Sequence, residues 1–463
     1  MKHTTAALSK RARRGALALL VLALCTPAAF ADGAPTKASG RSDGLFQRRE
    51  LLGDLWGVRP WLTSHGIDLG AVEQAVPSYV VAGGVSQGPA FAGLLVPSLD
   101  LDFGKLLGIS GLTAYVSAWV LQGQGPTASM VRSLSGISYV EAPAGARLAD
   151  AYLRWDSPRQ TIQAKLGKFG IDEDFDQNPA ASSLLDSNYT YRDIMANNLP
   201  GGGPAFSYEG PGAMLAVRPA AWLRLRAGLF SGDPVGLPVT SPPQNLDPNG
   251  LIFPLNAGAL VIGEADFSYD LPALGPGTLL AGALWDTLQM PDLLYSASGQ
   301  SLANPAAGPA RMDSDEYVVY AGLTQTLWRG AEDRRLRIFA RGAYAPPSQN
   351  IVSFDVQGGI ALNGPFAARR YDTVALAFSY DRISAQQAAL VGDLNALGGP
   401  AQPIPTAESD LELAYSARLT PWLTLTPDLQ YLIRPSGGIA DPLNPALPVP
   451  NAMVLQAMMA ITF

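Results

Sequence analysis

Cysteine is almost missing from this chain. Of 463 residues one is cysteine, Cys25, and it lies in an N-terminal stretch that reads as removable. That excludes a disulfide scaffold, a thiol nucleophile and a cysteine metal site. Histidine is nearly as scarce, two residues in all, and beyond that stretch only His65 remains. A serine hydrolase sets a histidine base beside its nucleophile, and His65 falls in a leader helix, away from any candidate serine. The charged share is 15%, against a usual value of about 25%. Past residue 31 no uninterrupted apolar run is long enough to cross a bilayer as a helix. Yet 48% of the residues are hydrophobic. Either a very large core is hidden, or the exterior is apolar.

The N-terminus carries Lys2, Lys10, Arg11, Arg13 and Arg14, then the apolar run "GALALLVLALC", then Ala29-Phe30-Ala31. This order predicts a secretory signal over 1–31, removed before Asp32. The run is too short for a membrane anchor, and Leu24 stands where a lipoprotein would have a small residue before its cysteine. Arg13-Arg14 amounts to a twin-arginine pair at most. Removal takes five of the 32 cations and none of the 39 anions, leaving a net charge of −12. A nucleic-acid partner is therefore not expected. A cysteine-free exported chain suits an oxidising periplasm. Residues 32–44 read as a flexible leader and 45–66 as a short amphipathic helix interrupted at Pro60. The remainder, 67–463, reads as one β-domain.

Over that remainder the dominant period is two, the signature of strands. "SLDLDF" sets Leu99, Leu101 and Phe103 opposite Asp100 and Asp102, and "AWLRLRAGLF" sets Leu223, Leu225 and Leu229 opposite Arg224 and Arg226. "VIGEADFSY" and "RLRIFARGAY" repeat the pattern with Glu264, Asp266, Arg337 and Arg341 on the polar face. One such strand is ordinary in a half-buried antiparallel sheet. Ionised groups on strand after strand, against Ala, Val and Leu, instead describe lipid outside and water within.

About sixteen candidate strands of spanning length can be placed: 70–82, 95–103, 112–122, 147–156, 160–168, 204–217, 221–230, 258–270, 277–287, 316–328, 334–344, 352–361, 371–382, 409–418, 421–433 and 453–463. Connections after odd-numbered strands are mostly long (83–94, 123–146, 169–203, 231–257, 288–315, 383–408, 434–452). Those after even-numbered strands are mostly short, as in "SPR" and "RPA". Long outer loops alternating with short periplasmic turns belong to outer-membrane barrels, and closure satisfies every backbone group in hydrocarbon. The expected fold is all-β: a transmembrane antiparallel β-barrel of about sixteen strands with a short N-terminal periplasmic helix. Phe103, Trp155, Tyr269 and Phe463 fall at periplasmic strand ends with lipid-facing parity, Trp222 and Trp422 with the other. A last strand ending on Phe463 closes the barrel against the first and fits a sorting signal for outer-membrane assembly.

Four motifs stand in order along the chain: "LLGDLWGVRPWLTSHGIDLG" (51–70), "KLGKFGIDEDFD" (165–176), "NLPGGGPAFSYEGPG" (198–212) and "GLFSGDP" (228–234). Together they resemble the carbohydrate-selective porins of Gram-negative bacteria, the OprB-type family, over nearly the whole exported chain. One departure is Leu55, where the family's Gly-Asp-Trp would run on directly. The resemblance implies a cell outer-membrane porin passing glucose and related sugars by passive diffusion, without enzymatic activity or cofactor. Its partners would be outer-membrane lipid and lipopolysaccharide, sugar substrates and the outer-membrane assembly machinery, and it would act as monomer or homotrimer. It also favours a plug-like place for the 51–65 helix near the pore mouth.

The residues themselves point to loop 169–203 as the narrowing. It carries Asp172, Glu173, Asp174 and Asp176, then Arg192, Asp193, Asn197 and Asn198. Folded inward, it would face Lys165, Arg224, Arg226, Arg337 and Arg341, with Glu264 on the same lumen parity. Trp61, or Trp222 if it faces inward, could contact the apolar face of a sugar ring. The alternatives for "DEDFD" are a solvated acidic loop or a calcium site, though EF-hand spacing is absent. For the arginines the alternative is generic lumen charge, which would make a general or anion-preferring porin without sugar selectivity. Gly201-Gly202-Gly203-Pro204 reads as a tight return into the next strand, since no lysine or strand-then-helix context marks a phosphate cradle.

Overall fold

The computed structural model describes residues 44–236, 243–314 and 316–463. The signal stretch and all but the last residue of the leader lie outside them. Twenty strands follow in chain order: β1 (Ile67–Ala82), β2 (Gly88–Asp102), β3 (Leu112–Gln124), β4 (Gly145–Asp156), β5 (Ile162–Phe169), β6 (Gly210–Ala220), β7 (Leu223–Ser231), β8 (Ala259–Leu271), β9 (Gly275–Asp286), β10 (Met290–Ser296), β11 (Ala310–Asp313), β12 (Glu316–Arg329), β13 (Arg335–Tyr344), β14 (Val352–Asn363), β15 (Thr373–Ile383), β16 (Ala407–Thr420), β17 (Leu423–Ile433), β18 (Ala440–Asp441), β19 (Asn444–Pro448) and β20 (Ala452–Thr462). Sixteen of them form one closed barrel, each paired with its neighbour in sequence order, with β10–β11 and β18–β19 as separate two-stranded sheets in the loops. β20 pairs with β1 from Val72↔Thr462 to Ala82↔Met453, so no edge is left open.

Alternation does what the sequence implies. On β7 and β8, Arg226 pairs with Glu264 and Arg224 with Asp266 on the inner face, while Leu225 pairs with Ala265 outside. Leu166, Leu215 and Leu229 are half-exposed or more, as a lipid-facing belt requires. No helix of the described residues is long and apolar enough to cross a membrane.

Some boundaries differ from the sequence expectation. β2 starts at Gly88, so the first long connection shrinks to 83–87. The "GP" there reads as a breaker, but Pro89 sits one residue into the strand end, where a missing N–H is tolerated. β6 starts at Gly210, and 204–209 belongs to the preceding loop. Phe103 opens a short helix (Phe103–Leu107), because the Asp102 carboxylate caps it by accepting from Gly104 N at 2.8 Å and Lys105 N at 3.3 Å. Below the barrel, α1 (Val58–Ser64) is shorter than the expected 45–66 helix, since Leu55, Trp56 and Gly57 all take positive φ and break the helix before it.

Candidate pore constriction

The loop between β5 and β6 runs inside the barrel and is fastened to strands on several sides. Arg192 holds it at the centre. Its Nε donates to Asp176 of the same loop and its Nη1 to Asp355 Oδ1 on β14 at 2.6 Å, all in a fully enclosed setting. Burial works against the guanidinium charge, but the Asp176 and Asp355 carboxylates outweigh it and raise the Arg192 pKa. From β13, Arg341 donates to the backbone oxygens of Asp176 (2.9 Å), Asn188 (3.3 Å) and Tyr189 (3.0 Å). From β8, Glu264 accepts Asp176 N at 2.6 Å and the Tyr320 hydroxyl at 2.8 Å. Asn198 closes the far end, donating to Val352 O at 2.7 Å and accepting Val352 N at 3.1 Å.

On the opposite flank Lys165 of β5 reaches the loop's first turn. Its Nζ donates to Glu173 Oε2 at 2.5 Å and Asp174 Oδ2 at 3.0 Å, over the Tyr152 and Phe169 rings at 4.0 and 4.2 Å. Arg226 of β7 bonds the Asp174 carbonyl, Asp266 and, at 2.6 Å, Glu264. Asp172 bonds to neither cation; its Oδ2 accepts Phe206 N at 3.4 Å. Burial first, then the neighbouring Glu173 carboxylate, pushes its carboxyl up to about 7.

The structure therefore divides the thirteen sequence candidates. Lys165, Asp172, Glu173, Asp174, Arg192, Arg226, Glu264, Arg341 and Asn198 meet at the loop seat. Asp193 is buried in the loop's short helix (Asp193–Ala196), where burial and then the Asp381 and Asp186 carboxylates push its pKa up; it does not face the pore. Arg224 and Arg337 are only partly covered, with single bonds to Gln163 (3.5 Å) and Asn363 (3.0 Å), and they line the open part of the lumen. Trp61 is half-exposed on α1 with its ring 4.4 Å from His65, outside the group the loop brings together. Trp222 lies in the two-residue turn after β6, where alternation lapses, and stacks on outward-facing Phe267 at 6.3 Å. It is an outward-facing rim aromatic. The acids of "DEDFD" do not converge on one another; Asp176 goes to Arg192, and Glu173 and Asp174 go to Lys165.

A second inner loop, 125–144, escaped the sequence reading. Gln430 of β17 and Gln456 of β20 both donate to Ile137 O, at 2.9 and 2.8 Å. Glu408 of β16 accepts Leu134 N at 3.0 Å and Ser135 N at 3.4 Å. The two loops meet at Asp186, which accepts Ser135 Oγ and, at 2.8 Å, Asn188 N. Burial pushes Asp186 up to about 6 and Glu141 up to about 7. The segment "SMVRSLSGISYV" shows neither alternation nor a charge cluster, so the only available signal was the acids and glutamines spaced along β16, β17 and β20.

A sixteen-stranded barrel narrowed by inward loops and lined by charge on alternate residues is a pore-forming outer-membrane barrel, the architecture of a porin. The family model for the carbohydrate-selective porin, OprB family, matches residues 86–463, and the chain belongs to that family. Porin B of Pseudomonas aeruginosa is 25% identical over 308 residues, 63% of this chain and 64% of its own length, so the chain spans somewhat under two thirds of that relative. The putative porin QuiX of Acinetobacter baylyi is 22% identical over 418 residues, covering 84% and 89%. The high-pH structure of Pseudomonas putida OprB superposes with a TM-score of 0.80 at 20% identity, over 91% of this chain and all of that one.

Proposed function

We propose that the protein is a passive channel through which glucose and related sugars diffuse across the outer membrane into the periplasm. Membership of the carbohydrate-selective family carries this reading. The lining supports it: partly covered Arg224 and Arg337, with Gln163 and Asn363 beside them, offer fixed donors and acceptors in the open lumen. A sugar gives up many water hydrogen bonds on entry, and such groups offset that desolvation. Diameter, lining and local field then select the solute. The channel does no chemistry of its own on this reading.

Residues 1–31 act as the export signal, lipid and lipopolysaccharide surround the apolar belt, and the β20 end with Phe463 addresses the assembly machinery. Because closure occurs within one chain, each copy is a complete channel, alone or in a homotrimer. Liposome swelling with the refolded protein tests the reading against glucose, a smaller uncharged amino acid and a small organic anion. Glucose entering at least as fast as the smaller solutes is expected. Rates that follow size or charge alone would make it a general or anion-preferring porin.

A further inference from the structure

Three carboxylates converge behind the first turn of the inner loop: Asp150 on β4, Glu173 in the loop and Glu209 just before β6. One oxygen of each lies within 4.8 Å of the others. Glu209 is 2% exposed and Asp150 5%. Glu209 Oε2 and Asp150 Oδ1 are buried and receive no hydrogen-bond donor among the described residues. The Glu173 carboxyl stands against Asp150 at hydrogen-bonding range, so two acceptors face each other.

The nearby lysines do not resolve this. Lys165 spends its donors on Glu173 Oε2 and Asp174, and the Lys168 ammonium makes no hydrogen bond and stands 5.4 Å from the Phe253 ring. Ser117 Oγ donates to Asp150 Oδ2 at 2.6 Å and orients that carboxylate from behind. Gly170 makes the approach possible, since a Cβ there would overlap both Asp172 Oδ1 and Glu209 Oε2.

We propose that Asp150, Glu173 and Glu209 form a calcium site that ties the constriction loop to the barrel wall. The donors are all oxygen, which suits a hard cation. They come from three separate segments, and Glu173 is partly exposed, leaving a side open to water. Calcium tolerates such irregular coordination, whereas magnesium demands a near-ideal octahedron. The site does not depend on which solute crosses the pore.

Calcium titrated calorimetrically into the refolded full-length barrel, stripped with chelator and held in detergent, tests it. One saturable site is expected, weakened at least about tenfold by Glu209→Gln or Asp150→Asn and unchanged by Asp270→Asn at the exposed end of β8. Heat-modifiable gel migration confirms that each variant is folded. Should Glu209→Gln not fold, Gly170→Ala displaces the same carboxylates and is expected to weaken binding likewise. Absence of calcium binding at millimolar concentration in the unmodified protein overturns the site. So does magnesium bound as tightly, or undiminished binding in folded Glu209→Gln.

Discussion

Arg192 and Asp355 lie 163 positions apart in sequence and 2.6 Å apart in space, both side chains wholly shielded from solvent. One belongs to the inner loop and the other to the wall. Removing the arginine alone strips Asp355 of its direct ion pair and leaves Asp176 only Arg341, at 3.4 Å; breaking a buried pair in this way costs about 3–5 kcal/mol. Arg192→Met should therefore unseat the middle of the loop while the barrel still closes. Single-channel conductance is expected to rise, and a protease should nick residues 170–209 faster than in the unmodified chain. Unchanged conductance and protection would mean that the remaining anchors suffice without this pair.

The lumen arginines separate into two kinds by what they touch. Arg224 and Arg337 each hold one side-chain partner and face open lumen, whereas Arg341 is locked against three loop carbonyls and Gln357. Arg224→Gln or Arg337→Gln should shift the reversal potential in a potassium chloride gradient toward cations. Stability should stay within about 0.5 kcal/mol. Arg341→Gln should do the reverse, lowering the unfolding midpoint with a smaller direct effect on ion preference. If all three behave alike, burial is a poor guide to which cation the permeating solute meets.

The barrel was legible because its physics is local. Each strand announces itself through a period of two and ends at turn residues, so even the charge pairs of β7 and β8 could be anticipated as lumen groups. The seat of the loop was only half legible. "DEDFD" and Arg192 mark a charged inward segment, but parity says which face a strand residue takes, not what lies over it. Thus Arg226 and Arg341, written identically to Arg224 and Arg337 in the alternation, turned out to be clamps. For a related reason parity does not say which way Trp222 faces, since alternation fails in a two-residue turn; it stacks outward on Phe267. The loop at 125–144 is marked only on the wall, by Glu408, Gln430 and Gln456, since its side of those contacts runs through backbone atoms that any sequence could supply.

The seam between the two inner loops should respond to pH. Asp186 faces Ser135 and Asn188 from the loops and the carboxyls of Asp410 and Asp428 from the wall, with Glu412 bonded to its backbone. Glu141 faces Thr127 and Ser138, with Asp186 nearby. Burial raises Asp186 from its ordinary 3.8 to about 6 and Glu141 from 4.5 to about 7. The folded state therefore holds more protons than the unfolded one in this window, and stability falls as pH rises. The contribution is complete below about pH 4 and gone above about pH 7. Thermal unfolding should show a higher midpoint at pH 5 than at pH 8, and Asp186→Asn should flatten the slope. A midpoint that rises with pH would contradict this account of the seam.

On the outer wall Glu73 of β1 and Gln122 of β3 reach across Gly93, their side chains 3.3 Å apart. Both have the outward parity, since Gln74 and Val76 of β1 point inward to Tyr139 and Met458. Glu73 sits near the middle of its strand, facing the lipid belt. A lipid-facing Arg or Lys at the midplane costs about 2–4 kcal/mol and an acid less, so Glu73→Leu should stabilise the barrel by about 1 kcal/mol. Denaturant unfolding in lipid vesicles, followed by gel migration, would measure it. Glu264→Leu is the matched control: it removes the same group from the inner face, where it binds Arg226, Asp176 N and Tyr320, and it should destabilise. If Glu73→Leu instead destabilises, the face formed by β1 to β3 meets protein rather than lipid in the membrane, and the Glu73–Gln122 pair is part of that contact.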